Sequence, residues 1–326
     1  MKYKNTTVVA IQNNSKYSVI DWVLGNYCNY KCSYCFPNCN TGTSRVPKLD
    51  DQMKTNIKHL VEELLTKSKG EKIYFNLVGG EPTVYHDFEN LIIFLKELGD
   101  VGVVTNGSRT IRWWDWAADY LNKVNISYHT EFSDVEHIAS VVDTIKNKTA
   151  VSVHAIMNDK LFDKSVDGFN FLFDRFKDDD VFVSLKLLRS HDNAVINYTD
   201  AQRKTIDLLY EKTKSVVKIK RDVNPFGDTK VLTKGNKHTE SFRPPMLAHM
   251  TGNFKGYKCT AHQEFLQINF NGYIGQMSCM NTHHQSISIY DDQFSEKFSL
   301  NPKPLICQEP GLCGCLGLWG SNKRIK

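Results

Sequence analysis

The 326 residues carry nine cysteines, 41 Lys and Arg against 36 Asp and Glu, and 41% apolar side chains. That length allows a sizeable core, and the 24% charged and 11% aromatic fractions exclude wholesale disorder, fibrous repeats and collagen-like sequence. A net charge of +5 permits a nucleic-acid or acidic partner but argues for none.

Residues 1–18 are polar and broken by Asn and Lys, with no apolar core of signal-peptide type. No apolar run approaches the roughly 20 residues of a membrane helix, so no membrane partner and a cytoplasmic location are expected. There thiols stay reduced, and cysteines serve as metal ligands or catalytic groups rather than disulfides. Short β-branched runs at 18–24, 72–78, 101–105, 124–129, 150–157 and 181–188 predict strands. Amphipathic segments at 50–67, 86–98, 111–122, 134–147, 163–176 and 199–214 predict helices between and after them. Asp50, Asp134 and Thr199 stand where N-caps or first-turn residues belong.

Six strand–helix units in succession predict an α/β fold, a parallel sheet with right-handed crossovers curved into a partial (β/α)6 barrel of TIM type. Functional residues in such folds gather at the C-terminal strand ends. Residues 216–258 lose the periodicity and accumulate Gly, Pro, Lys and Asn, which reads as a connecting region. Residues 259–326 are short-stranded and glycine-rich. The expected division is a barrel over 1–215, a connector over 216–258 and a small α+β domain over 259–326.

The cysteines fall in two groups. Cys28, Cys32, Cys35 and Cys39 directly follow the first strand, and Cys259, Cys279, Cys307, Cys313 and Cys315 lie near the C-terminus. A long cysteine-free stretch between them points to two metal sites. Two arrangements suit the first group. Four thiolates can enclose a tetrahedral zinc in a closed structural site. Three can instead hold three irons of a 4Fe–4S cluster and leave the fourth iron open to a ligand. At the end of the second strand stands Gly79-Gly80-Glu81-Pro82. Its glycines permit close backbone approach, and a carboxylate beside a fixed proline turn can accept hydrogen bonds from an amine. Both segments address the same mouth of the barrel.

The Cx3Cx2C triad with Tyr34 before its third cysteine, followed one strand later by Gly79–Pro82, resembles the signature of the radical S-adenosylmethionine (radical SAM) superfamily. The resemblance spans roughly residues 19–188. It implies that Cys28, Cys32 and Cys35 ligate a 4Fe–4S cluster whose open iron is chelated by SAM, with Gly79, Gly80, Glu81 and Pro82 serving the SAM amino group. Cys39 has no implied role. It further implies that the reduced cluster passes an electron to the SAM sulfonium and that the resulting 5′-deoxyadenosyl radical abstracts a hydrogen from an unreactive C–H bond. By strand-end position, Asn106, Ser127, His129 and Glu131 are candidates for further SAM contacts. Lys186 is a candidate for its carboxylate and Leu188 for its adenine. An electron donor such as flavodoxin or ferredoxin is implied as a partner.

In the second group, Cys259 precedes an apolar run at 265–270, the turn Asn271-Gly272-Tyr273 and then Cys279. This reads as cysteine, strand, hairpin turn, strand, cysteine. With Cys307, Cys313, Cys315, His262, His283 and His284 nearby, a structural zinc site is one reading. The arrangement also resembles the SPASM/twitch extension that carries an auxiliary 4Fe–4S cluster in radical SAM enzymes. Five cysteines suffice for one such cluster; Cys259 and Cys279 with two of Cys307, Cys313 and Cys315 are the favoured set, and which four bind stays open. The distance from Gly272 to Cys279 and the Cx5CxC tail depart from the usual pattern.

Substrate signals are thin. Trp113-Trp114-Asp115-Trp116 can form a stacking wall for a base, or simply pack a helix on the barrel. Lys212, Lys214, Lys218, Lys220 and Arg221 can track phosphates, or form a solvated helix face and strand. The SPASM/twitch resemblance implies modification of a peptide or protein side chain. The alternative is a modified nucleic acid, with rearrangement of an amino-acid-like group on a base, because the overall pattern is similar to compact bacteriophage proteins. A non-catalytic metal-binding module is a third reading.

Overall fold

Strand β2 (Tyr17–Val23) shows how the sequence builds a two-faced sheet. Ile20 and Trp22 are fully buried in the main apolar core, while Val19 packs on the opposite face with Tyr74 and Phe265. The computed structural model describes residues 8–35, 40–42, 46–190, 195–214, 224–225, 227, 229–233, 236–242, 255–275, 287–308 and 323–324. Within them the same alternation recurs in β3 (Lys72–Val78), β4 (Asp100–Thr105), β5 (Lys123–Tyr128), β6 (Ala150–Met157) and β7 (Val181–Leu187). These strands pair in parallel and in chain order. The expected α/β architecture with six successive parallel strands is therefore present. Among the described residues the sheet does not close on itself.

The connecting helices cover the outer face: α1 (Asp51–Lys67), α2 (Phe88–Leu98), α3 (Ile111–Ala117), α4 (Val135–Ile145) and α5 (Phe162–Phe176), with α6 (Asp200–Lys214) following β7. The expected caps are in place. Asp50 accepts from the Met53 amide at 2.8 Å, Asp134 from the Glu136 amide at 2.9 Å, and Thr199 from the Gln202 amide at 3.3 Å. Each such cap contributes about 1 kcal/mol. Helix α3 ends earlier than its periodicity predicts. The Asn122 side chain accepts from Lys96 and from the Val101 amide, and this anchors the chain as it turns into β5.

The segment read as a connector supplies β8 (Thr229–Thr233) and β9 (Asn236–Phe242). They join β1 (Val8–Asn13), β10 (Lys258–Cys259), β13 (Leu305–Ile306) and β14 (Lys323–Arg324) in a second, antiparallel sheet of order β13-β10-β14-β1-β8-β9. Strands β8 and β9 are rich in Thr and Lys, so they carry little apolar alternation to read. After α7 (Ala261–Glu264), β11 (Phe265–Ile268) pairs in parallel with β2 and antiparallel with β12 (Ile274–Gly275). The hairpin expected around Gly272 thus extends the barrel sheet to eight strands in the order β12-β11-β2-β3-β4-β5-β6-β7.

A later segment containing α8 (Phe294–Lys297) straps the sheet to α1. Buried Asn56 donates to the Ile289 and Asp291 carbonyls at 2.9 Å each, and Glu63 accepts from the Leu300 amide at 2.7 Å. The sheet's inner face is polar at mid-height. Asp21 accepts from Asn76 at 2.6 Å and from Gln267 at 2.9 Å, a row across three adjacent parallel strands. Among the described residues no helix is long and apolar enough to cross a membrane.

Candidate functional site

The loops after β2 and β3 are zipped together by their backbones. The Leu24 amide donates to the Val78 carbonyl at 2.8 Å, Gly80 to Gly25 at 3.1 Å, and Glu81 to Tyr27 at 2.8 Å. This approach explains Gly79, whose φ is 148° and whose absent Cβ would sit 2.8 Å from the Gly25 carbonyl oxygen. The cysteine segment is thereby carried directly beside Gly79-Gly80.

Glu81 is buried and its carboxylate is saturated. One oxygen accepts from the Thr83 amide at 3.1 Å, the Thr83 hydroxyl at 2.7 Å and the Thr105 hydroxyl at 2.7 Å. The other accepts from the Asn106 amide at 2.6 Å. Burial pushes its pKa up, and these four donors oppose that shift. The carboxylate ties the ends of β3 and β4 together, while Pro82 opens a 3-10 turn over Pro82–Val84.

Cys28, Cys32 and Cys35 carry half-buried thiols that form no disulfide among the described residues. The Tyr30 amide donates to Cys28 Sγ at 3.4 Å, and Asn106 Nδ2 lies 3.9 Å from the same sulfur. Burial pushes the Cys28 thiol up and that of Cys32 up to about 11. The Tyr34 hydroxyl shares a 2.9 Å hydrogen bond with His129 Nδ1, their rings stacked at 6.0 Å. Burial, then the Lys186 charge, lowers the His129 pKa to about 4, so its ring is neutral at physiological pH. Glu131 accepts from the Ser33 amide at 2.7 Å, the Ser33 hydroxyl at 2.5 Å and Asn158 at 3.0 Å. Burial works against ionisation there, but these donors and Lys160 outweigh it and hold the carboxyl below its usual range.

A cavity of about 460 Å3 opens at the C-terminal ends of the strands. Cys28, Cys32, Tyr34 and Cys35 line one side, with Gly79, Gly80 and Glu81 beside them. Asn106, Ser127, His129, Lys186 and Leu188 complete the expected set. Pro82 and Glu131 are not on its wall. Tyr30, Val78, Val104, Ile156 and Arg189 also line it and were not anticipated. Val104 and Ile156 were findable, because they share the inward face with Ser127 on neighbouring strands. Lys186 is reached by solvent through the cavity yet walled by protein, and burial, then Arg189, lowers its pKa.

The donor set suits an iron–sulfur cluster. Three soft thiols reach one cavity. Cys39 lies outside the described residues, as do Cys279, Cys313 and Cys315. The other two late cysteines are neighbours. Lys258 pairs with Ile306 and Cys259 with Leu305, and the Cys307 amide donates to the Tyr257 carbonyl at 2.8 Å. Continuing that register puts Cys259 and Cys307 diagonally on one face of the antiparallel pair.

The tryptophan cluster packs. Trp114 is fully buried, and Trp113 lies tilted against Phe88 while donating to Glu89 at 2.7 Å. Lys212 pairs with Asp174 at 3.1 Å.

A protein-family model described as the Radical SAM superfamily matches residues 22–189. The chain is 26% identical over 162 residues to a GTP 3′,8-cyclase of Psychromonas ingrahamii, covering 48% of this chain and 40% of that protein. It is 32% identical over 103 residues to an S-adenosylmethionine-dependent nucleotide dehydratase of a Fibrobacter species, 29% of each chain. A third relative, the S-adenosylmethionine-dependent nucleotide dehydratase RSAD2 of Siniperca chuatsi, is 34% identical over 124 residues, 36% of this chain and 32% of its own. The chain thus spans less than half the length of these curated relatives. A crystal structure of BtrN in complex with AdoMet and 2-DOIA aligns over 86% of this chain and 85% of its own, with 13% identity and a TM-score of 0.38.

Proposed function

The chain belongs to the radical SAM superfamily, and from that premise we propose that it abstracts a hydrogen from a nucleotide or nucleobase-bearing substrate. The observation that carries the reading is the single cavity lined by Cys28, Cys32 and Cys35 on one side and by Gly79-Gly80 and the strand-end residues on the other. When bound, a reduced 4Fe–4S cluster and SAM together supply a carbon radical that takes the substrate hydrogen.

The chain's own groups hold and orient those partners. Cys28, Cys32 and Cys35 would each hold an iron. Gly79 and Gly80 leave room for the SAM amino group, and their backbone carbonyls rather than the saturated Glu81 carboxylate would accept from it. Lys186 supplies the charge for a carboxylate. Val78, Val104 and Ile156 give the cavity an apolar wall that excludes water. His129, held neutral, orients Tyr34 beside the cysteines.

Two observations favour a nucleotide. With Lys186 serving the SAM carboxylate, Arg189 brings a second cation to the same cavity, where a phosphate would be matched. The relatives' names, a GTP cyclase and nucleotide dehydratases, belong to the same class of substrate. The peptide or protein substrate implied by the SPASM/twitch resemblance stands second, and a one-electron donor of flavodoxin or ferredoxin type is required in either reading.

The test is anaerobic incubation of reconstituted protein with SAM, reductant and pools of deuterated nucleotides, following deuterium into 5′-deoxyadenosine. Transfer from a nucleotide is expected, and Cys28→Ala, Cys32→Ala and Cys35→Ala are each expected to abolish SAM cleavage. Undiminished cleavage in any of the three would sink the assignment. Deuterium arriving only from peptide pools would instead restore the second reading. We also propose that Cys259 and Cys307, with two of Cys279, Cys313 and Cys315, hold an auxiliary 4Fe–4S cluster. Iron near eight per chain is expected, dropping by about four in a Cys259→Ala/Cys307→Ala double variant. Four in the unmodified chain would remove the auxiliary cluster.

A further inference from the structure

The amide that follows Cys32 is diverted from the cavity. In a loop carrying cluster ligands, backbone N–H groups ordinarily donate to cluster sulfurs, and each such bond raises the reduction potential. Here the Ser33 N–H donates instead to Glu131 at 2.7 Å, and the Ser33 hydroxyl donates to the other oxygen of the same carboxylate. Glu131 itself does not line the cavity. It is braced from behind by Asn158, a buried residue at the end of β6. The Asn158 side-chain oxygen accepts from the Lys160 and Leu161 amides at 2.9 and 3.1 Å, which fixes its amide group toward Glu131. Beside it, Thr130 and Ser165 share a buried 2.9 Å hydrogen bond. The carboxylate is therefore presented to the cysteine loop by the rigid ends of β5 and β6.

Resting on the cluster reading above, we propose that Glu131 is a positioning residue that withholds the Ser33 amide from the cluster and so keeps its reduction potential low. Low potential matters because the electron must reach a sulfonium, a poor acceptor. Glu131 thus acts through Ser33, without touching SAM.

The test uses the full chain, reconstituted anaerobically without SAM, as wild type, Glu131→Met and Ser33→Ala. Each is titrated electrochemically while the reduced-cluster signal that Cys28→Ala abolishes is followed by electron paramagnetic resonance. Exchangeable deuterons near that cluster are counted by electron–nuclear double resonance. Glu131→Met, which removes the acceptor at similar side-chain volume, is expected to raise the midpoint potential and to bring one further exchangeable deuteron close to the cluster. Ser33→Ala keeps the amide and the carboxylate, and is expected to match wild type in both readouts. An iron-loaded Glu131→Met protein with wild-type potential or wild-type couplings overturns the proposal. So does a Ser33→Ala protein whose potential moves as far as that of Glu131→Met. Should Glu131→Met lose its iron, Glu131→Asp, which draws the acceptor back by one methylene, is read by the same criteria. A wild-type chain that shows no cluster signal at all would defeat the cluster reading itself, a failure plainly different from the other two.

Discussion

Asp21 sits in the interior of the sheet with a donor on each oxygen, and burial still leaves its pKa above the ordinary 3.8. The sign follows directly: a carboxyl raised on folding favours the folded state while protonated. That contribution is complete below the unfolded pKa and is lost as pH rises through the raised folded value. Asp21→Asn removes the titration, and either flanking amide can turn to present its oxygen to the new NH2 group. The stability difference between variant and wild type should therefore shift in favour of the variant as pH rises above about 4. Urea midpoints across that range check it, and parallel curves would show that Asp21 does not titrate with folding. Residues of this kind were poorly legible beforehand. Cys28, Cys32, Cys35 and Gly79-Gly80 announce themselves by spacing, because their chemistry is local. Glu81 was expected to face an amine, but Thr83, Thr105 and Asn106 occupy its oxygens, and nothing in the spacing of 81 and 106 reveals that meeting. Glu131 is legible as a strand-end candidate, but its bond to Ser33 joins positions 98 residues apart and no spacing reveals it.

At the scale of elements, the strands and helix starts were legible wherever a period and a cap coincide. β3 spans Lys72–Val78, the bounds its alternation predicts, and α1 begins right after its Asp50 cap. The second sheet was hidden, because the Thr- and Lys-rich sequences of β8 and β9 offer little apolar alternation to read. Strand β4 carries a constraint that its alternation conceals. A Cβ on Gly102 would stand 1.8 Å from the Tyr74 hydroxyl oxygen and 2.6 Å from its ring, and Tyr74 is fully buried on the adjacent strand. Gly102→Ala should therefore destabilise the protein by about 1–3 kcal/mol through overpacking. Adding Tyr74→Phe, which deletes the clashing oxygen, should recover part of that loss. Thermal unfolding of the single and double variants decides it, and a single variant as stable as wild type would show that the strands part freely.

For the whole molecule, the strap between residues 289 and 300 and strand β11 bind the latest elements to the earliest. Asn56 is the strap's buried fastening, with two carbonyls and no solvent to replace it. Asn56→Ala strands both carbonyls, at a cost of about 2 kcal/mol. Amide hydrogen exchange should accelerate over 289–300 before it does so in β3 or β4. Uniform acceleration through the sheet would mean that strap and barrel open as one unit. The pairing of Asp21 with Gln267 has a further consequence in time. These partners are 246 residues apart, so at about 5–20 residues per second a ribosome spends roughly 12–50 s between making β2 and making β11, its neighbour on the side away from β3. Throughout that interval β2 presents a bare edge beside a freshly made set of reduced thiols. High contact order of this kind slows folding and invites strand-to-strand aggregation. A nascent chain would then be most vulnerable to misassociation and oxidation while its cysteine loop is already out and β11 is still being translated.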